Sequence, residues 1–194
     1  MNRFRRLSLH LNISRRTWMP IMMGALLAAT AMPLSGRVSE RFDAGWRFHK
    51  AGDEGNARIV NTPHTWNAVD TFDDEDGYWR GVGIYRKTLH VSEFDRKKRL
   101  FLRFQGANQV TQVFVNDVLA GRHIGGYTRF TIPLSPHLRT GSNEIRVEVD
   151  NADREELFPL SADFTFYGGI YRNVHLLRVN PVHFDLSNMG SFGI

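Results

Sequence analysis

The 194-residue sequence contains no cysteine. Disulfides, cysteine nucleophiles and thiolate metal sites are excluded together, while the compartment stays open, because exported proteins also lack cysteine. The sequence has no internal repeat and no low-complexity linker. Beyond its first three dozen residues it has no stretch with the spacing of a long amphipathic helix. A basic surface is missing too. The formal charge of +5 is matched by Arg3, Arg5, Arg6, Arg15 and Arg16, and the first 31 residues carry no acid. The remainder is balanced, so the electrostatic footprint of a nucleic-acid-binding protein is absent.

What is present begins with an N-terminal segment, residues 1–31, that reads as an export signal. Basic residues end at Arg16, and the uncharged run "TWMPIMMGALLAATAMPLSG" follows. Within it Ala29, Thr30 and Ala31 have the small-x-small form of a cleavage site. A membrane anchor is the competing reading, since the run is near spanning length; Pro20 and the small residues favour cleavage and no stable span. "SRRTWM" also resembles the twin-arginine export motif, with general export as the alternative. Residues 32–40 read as a linker and residues 41–194 as one domain.

Within that domain the apolar pattern has period two, the mark of strands with one buried face. Leu100, Leu102 and Phe104 share a face, as do Tyr85, Leu89 and Val91. Ile145, Val147 and Val149 point one way, while Arg146, Glu148 and Asp150 point the other. Ile170, Val174 and Leu176 form a further set. "QVFVNDVLAG" predicts two strands about a tight turn at Asn116-Asp117, and "YTRFTIPL" predicts another strand. Short strands at this spacing imply an all-β sandwich or barrel, and burying several such faces needs two packed sheets. Two segments, from Asn61 to Gly81 and from Asn151 to Gly169, read as long irregular loops. Loops of that length in a compact domain tend to carry function.

The second of these loops holds "SADFTFYGGIYRNV", where Asp163 lies among Phe164, Phe166 and Tyr167. A carboxylate beside aromatics is costly without a partner. This stretch resembles the sugar-binding domain of glycoside hydrolase family 2, the β-galactosidase and β-glucuronidase family. So do "FDAGWRF", "NTPHTWNA", "GVGIYRKTLHV", "LRFQGANQVTQVFVND", "GRHIGGYTRFTIPLS" and "GSNEIRVEVDN", which occur in the family's order from about Arg41 onward. The resemblance implies a jelly-roll β-sandwich, like other galactose-binding domains, in an exo-acting retaining glycosidase. It is similar above all to the β-galactosidase branch. It further implies that an immunoglobulin-like domain and a (β/α)8 barrel complete the enzyme. Retaining hydrolysis uses two carboxyls about 5–5.5 Å apart, and in the family the barrel supplies both. This chain is therefore expected to hold no catalytic residue, and it is expected to hold no cofactor or metal site, although in some members of the family the aspartate matching Asp163 also touches a sodium ion.

The same resemblance gives Asp163 a role as ligand to hydroxyls of a β-galactoside or related sugar, with Arg172 orienting it. The alternative is that Asp163 pairs with Arg172 or caps a local turn. Asn67 and Asp70 are further substrate-binding candidates, because their loop corresponds to one near the family's active-site mouth. Asp73, Asp74, Glu75 and Asp76 lack calcium-loop spacing and read as a solvated acidic loop. His64 and His123 are expected to bond backbone around buried turns, and Trp79 is the tryptophan best placed to line a sugar site. Asn143-Glu144 has the spelling that accompanies the family's acid/base glutamate, but it enters an alternating strand and reads as a strand-edge pair. Three roles follow for the chain: a piece of a glycosidase, a stand-alone carbohydrate-binding module, or a structural partner of a separately encoded barrel.

Overall fold

The computed structural model of the protein describes residues 36–68, 77–154 and 165–186. All belong to one compact unit, Ser35–Ile194. The expected signal segment lies outside the described residues, as do Asp70, the acidic run at 73–76 and Asp163. Among the described residues no helix is long and apolar enough to cross a membrane.

The described residues form ten strands: β1 (Arg37–Arg41), β2 (Trp46–Lys50), β3 (Arg58–Val60), β4 (Val82–Val91), β5 (Arg99–Phe104), β6 (Val110–Val115), β7 (Val118–Ile124), β8 (Phe130–Pro133), β9 (Gly141–Asp150) and β10 (Val174–Val179). A four-residue helix, α1 (Glu93–Arg96), and two short 3-10 turns complete them. The strands build two antiparallel sheets, ordered β1-β10-β5-β8 and β3-β2-β4-β9-β6-β7. The alternating sets named from sequence line the space between the sheets. Leu100, Leu102, Phe104, Val174 and Leu176 come from the four-stranded sheet; Tyr85, Leu89, Val91, Ile145, Val147 and Val149 come from the six-stranded one. The architecture is thus a β-sandwich whose core is filled by the inward face of each strand.

Two departures from the sequence reading have local causes. The first sheet begins at Arg37, inside the segment read as linker, because β1 pairs along its whole length with β10. β10 itself begins only at Val174; Ile170 is buried but lies in an irregular stretch where Gly169 bridges Asn108. The predicted Asn116-Asp117 turn forms, with φ of 50° and 64°. Both values are tolerated by Asn and Asp and match a two-residue hairpin.

Register fixes which loops meet. Val82 pairs with Asp150, Asp150 with Val110, and Val110 with Ile124. In the other sheet Val174 pairs with Phe104, and Phe104 with Phe130. The end of the first long loop, the start of the second and the entry to β10 therefore share one end of the sandwich.

Candidate functional site

Asp43 anchors the approach to this end. Its Oδ1 accepts from the Val174 N–H and the Thr62 hydroxyl, each at 2.7 Å, and Oδ2 accepts from Arg41. Burial alone would raise the Asp43 carboxyl, but these donors outweigh it and hold it below the usual carboxylate range. One side chain thereby ties the corner after β1 to the start of the first loop and to β10.

Two residues later in that loop, His64 sits between the loop and the core. Its N–H donates to Ile170 O at 2.8 Å, and its Nδ1 shares a 2.8 Å bond with the Tyr85 hydroxyl. The sequence reading expected backbone partners for the imidazole; the ring instead bonds a phenol. Burial, with a smaller push from Arg58, lowers His64 to about 4, so the ring is neutral at neutral pH. The phenol, which accepts from Ile170 N–H, then donates to Nδ1. Gly169, at φ of +118°, lets the chain pass here; a Cβ would collide with His64 O and the Tyr85 hydroxyl.

Beyond it lies a junction built from two asparagines. Asn67 is fully buried. Its Nδ2 donates to Trp79 O at 2.8 Å, and its Oδ1 accepts from Gly168 N–H at 2.7 Å and from Asn151 Nδ2 at 3.4 Å. Asn151, equally buried, accepts from Gly81 N–H at 2.9 Å and donates to Phe166 O at 3.2 Å. Each carboxamide supplies a donor and an acceptor, so two side chains satisfy backbone groups at the ends of both long loops. Tyr78 adds its hydroxyl as acceptor for Phe166 N–H.

Trp66 joins this polar junction to the core. Its ring stacks on Phe48 at 5.9 Å and meets Trp79 edge-on at 5.4 Å. A Cβ on Gly83 or on Gly168 would run into the indole, so the ring has glycine backbone against it from both a strand and a loop. Trp79, half-buried, also carries Lys50 Nζ at 4.6 Å from its ring centroid. His123 is buried and stacked on Phe130 at 4.0 Å, with Thr128 as its side-chain partner.

The sequence candidates separate accordingly. Asn67 stands inside the junction, where its amide binds protein. Arg172 is exposed, donating to Gln105 O at 3.4 Å and lying 5.2 Å from the Tyr171 ring. Asp163 and Asp70 lie outside the described residues, but the residues flanking them belong to the junction. Asn151, Trp66 and Gly168 were not singled out from sequence. Their only sequence signal was position, at the edges of the two long loops beside an aromatic and a glycine pair.

Residues 79–180 of this β-sandwich match the family described as glycosyl hydrolases family 2, sugar binding domain, and the chain belongs to that family. A β-glucuronidase of Bacteroides fragilis is 42% identical over 134 residues, covering 68% of this chain and 19% of that protein. A β-galactosidase of Thermoanaerobacter pseudethanolicus is 35% identical over 137 residues, covering 68% of this chain and 18% of that one. Among solved structures, Bacteroides uniformis β-glucuronidase 2, covalently bound to cyclophellitol-6-carboxylate aziridine, superposes with a TM-score of 0.71 at 36% identity. That match covers 78% of this chain and 19% of the other. The chain thus spans about a fifth of the length of the relatives it matches.

Proposed function

We propose that this chain is the non-catalytic sugar-binding portion of an exported family 2 glycosidase with a jelly-roll connectivity, and that its loop end helps form the substrate pocket. The ligand class is a β-galactoside or β-glucuronide, the two named among the relatives. Catalytic carboxyls come from elsewhere in the enzyme, in a barrel that completes the pocket. Asp163 accepts hydrogen bonds from sugar hydroxyls, for which a carboxylate's two oxygens are suited. Asp70 is a further candidate ligand, and Arg172 orients the Asp163 carboxylate. Asn67 serves as a positioning residue rather than a direct ligand.

The observation that carries this reading is the fastening of the second long loop on both sides of Asp163. Asn151 holds its start, and Asn67 holds its return through Gly168. A loop held so firmly at both ends by buried amides suits a fixed ligand position.

The test is to fuse the module to the catalytic portion of a relative and measure kcat/KM on nitrophenyl glycosides. Asp163→Ala should lower it by a factor of roughly 10 to 200, the ~1.5–3 kcal/mol of a hydrogen bond to a charged group, with the fold intact. Unfolding by Asp163→Ala that Asp163→Asn repairs without any change in turnover would make the residue structural and sink the sugar assignment. Export is checked separately by N-terminal sequencing of the native protein: a start near Met32 supports it, and an intact Met1 on a soluble cytoplasmic protein rejects it.

A further inference from the structure

The outward face of the four-stranded sheet holds a feature that the sugar reading does not use. Register aligns Arg41, His175, Arg103 and Thr131 in one row across β1, β10, β5 and β8. The inward alternation of Leu102, Phe104, Val174 and Leu176 turns this row away from the core. Arg103 is nevertheless only 5% exposed. Its Nε donates to Thr131 Oγ1 at 3.2 Å, and its Nη2 is buried with no hydrogen-bond partner. His175 Nδ1, on the adjacent strand, is likewise buried without a partner.

The electrostatics agree with an unmet demand for negative charge. Burial first, then the charges of Arg37 and Arg129, lower the Arg103 guanidinium to about 10. Burial also lowers His175. Asp43 opposes that shift, while Arg41 and Arg103 add to it. Among the described residues Asp43 is the carboxylate that reaches this row, and its oxygens are already taken by Arg41, Thr62, Val174 and Asn173. A buried cation without a counter-ion costs more than an apolar residue of similar size. The flanking row of Leu177 and Phe101 would accept such a residue readily.

We propose that Arg103, His175 and Thr131 form an oxyanion-binding site on the outer face of the four-stranded sheet, taking a carboxylate or phosphate group. Arg103 supplies the free Nη2 edge. Neutral His175 donates from Nδ1 in the tautomer that protonates it. The Thr131 hydroxyl accepts from Arg103, which leaves its own proton to donate. Arg103 lies between the other two, each a cross-strand neighbour about 5 Å away on its own side, so an anion seated on the guanidinium is met by His175 from one strand and Thr131 from the other, and the charged donor strengthens its bond.

Calorimetry on the whole 194-residue chain tests this, with sodium malonate, sodium phosphate and N-acetylglutamate amide each titrated against sodium chloride at matched ionic strength. Saturable binding of at least one oxyanion is expected. Tighter binding of the glutamate amide than of phosphate assigns a protein side-chain carboxylate as the occupant, and the reverse assigns a free phosphate; either supports the site. Arg103→Met should weaken binding about tenfold or more, as loss of a charge-assisted bond requires. In chloride alone its Tm should match or exceed that of the parent. Arg103→Lys, which keeps the charge but not the planar fork, should also bind more weakly, and it serves if the methionine variant fails to fold. No saturable binding by the parent, or unchanged binding in whichever variant folds, overturns the proposal.

Discussion

The space between the two sheets and the junction of the two long loops are equally closed to solvent, yet they are closed by opposite means. Trp46, Tyr85 and Leu176 at the centre have no exposed surface, and neither do Asn67 and Asn151 at the loop end. The centre is held by apolar area removed from water, which is non-directional and tolerant of small shifts. The junction is held by a few hydrogen bonds with fixed geometry, each of which becomes a liability if its partner is lost. The difference suits the two tasks. A core must hold two sheets together, whereas the junction must fix the ends of two long loops against each other.

The comparison predicts a ranking of damage. Trp46→Ala should be the most severe change, costing about 3–5 kcal/mol, because it opens a cavity at the centre of the core. It also leaves Phe42 O without the indole donor, now 3.0 Å away. Urea denaturation should show the loss as a shift in midpoint with β9 and β10 destabilised together. A loss below about 1 kcal/mol would mean that the sheets are not held by this contact.

Asn151→Ala comes next, at ~2–3 kcal/mol, since it removes the acceptor of the Gly81 N–H and a donor to the Phe166 carbonyl. Here the pattern matters more than the size. Amide exchange should accelerate at Gly81 and Gly168 while the central strands keep their protection, the signature of local opening. Asn67→Ala should do the same, and the double variant should cost less than the sum, because the two amides share a bond. Uniform loss of protection across the sheets would erase the distinction between the two regions.

That distinction also explains what was legible in the sequence. The core sets Tyr85/Leu89/Val91 and Ile145/Val147/Val149 were read correctly because a half-buried strand writes its face into the residue order. The Asn116-Asp117 turn was legible for a similar reason, as its chemistry is local. The junction was not. Asn67 and Asn151 lie 84 positions apart, and buried asparagine looks like ordinary loop composition until its partner is known. Asn67 was noticed only as a possible ligand, and its role in bracing the loop has no signature in order or spacing. The outer face of β10 adds what alternation does not announce: Leu177 and Val179 point away from the core, yet both are buried in a second cluster with Leu186.

A smaller effect tests the link between the two regions at His64. Its folded value of about 4 lies below the ordinary 6.5. The unfolded chain therefore binds a proton between those values that the folded chain does not. The contribution is complete above pH 6.5 and is lost as pH falls toward 4. His123 and His175, also lowered by burial, act in the same direction. Thermal melts from pH 7 down to about 4.5 should fall less steeply for His64→Gln than for the parent. Parallel profiles would show that protonation of His64 is not what loosens the loop from Tyr85.

The smallest effect is expected on the solvent side of the six-stranded sheet, at Glu144. The Asn143-Glu144 pair has the spelling of a catalytic dipeptide, but the strand sends its two side chains to opposite faces. Asn143 is buried, accepting from Arg139 N–H and Asn116 Nδ2 and donating to Arg139 O and Gly141 O. Glu144 lies outside, paired with Arg86, with 44% and 38% of the two side chains exposed. An ion pair that exposed contributes at most about 1 kcal/mol and weakens in salt. Glu144→Gln should therefore move the urea midpoint very little, and less still in high salt. In a fusion that restores turnover, kcat/KM should be unchanged, because this face belongs neither to the core nor to the loop junction. A large loss of turnover with stability intact would show that the outer sheet face takes part in catalysis, and the division of labour between core and loop end would have to be redrawn around β9.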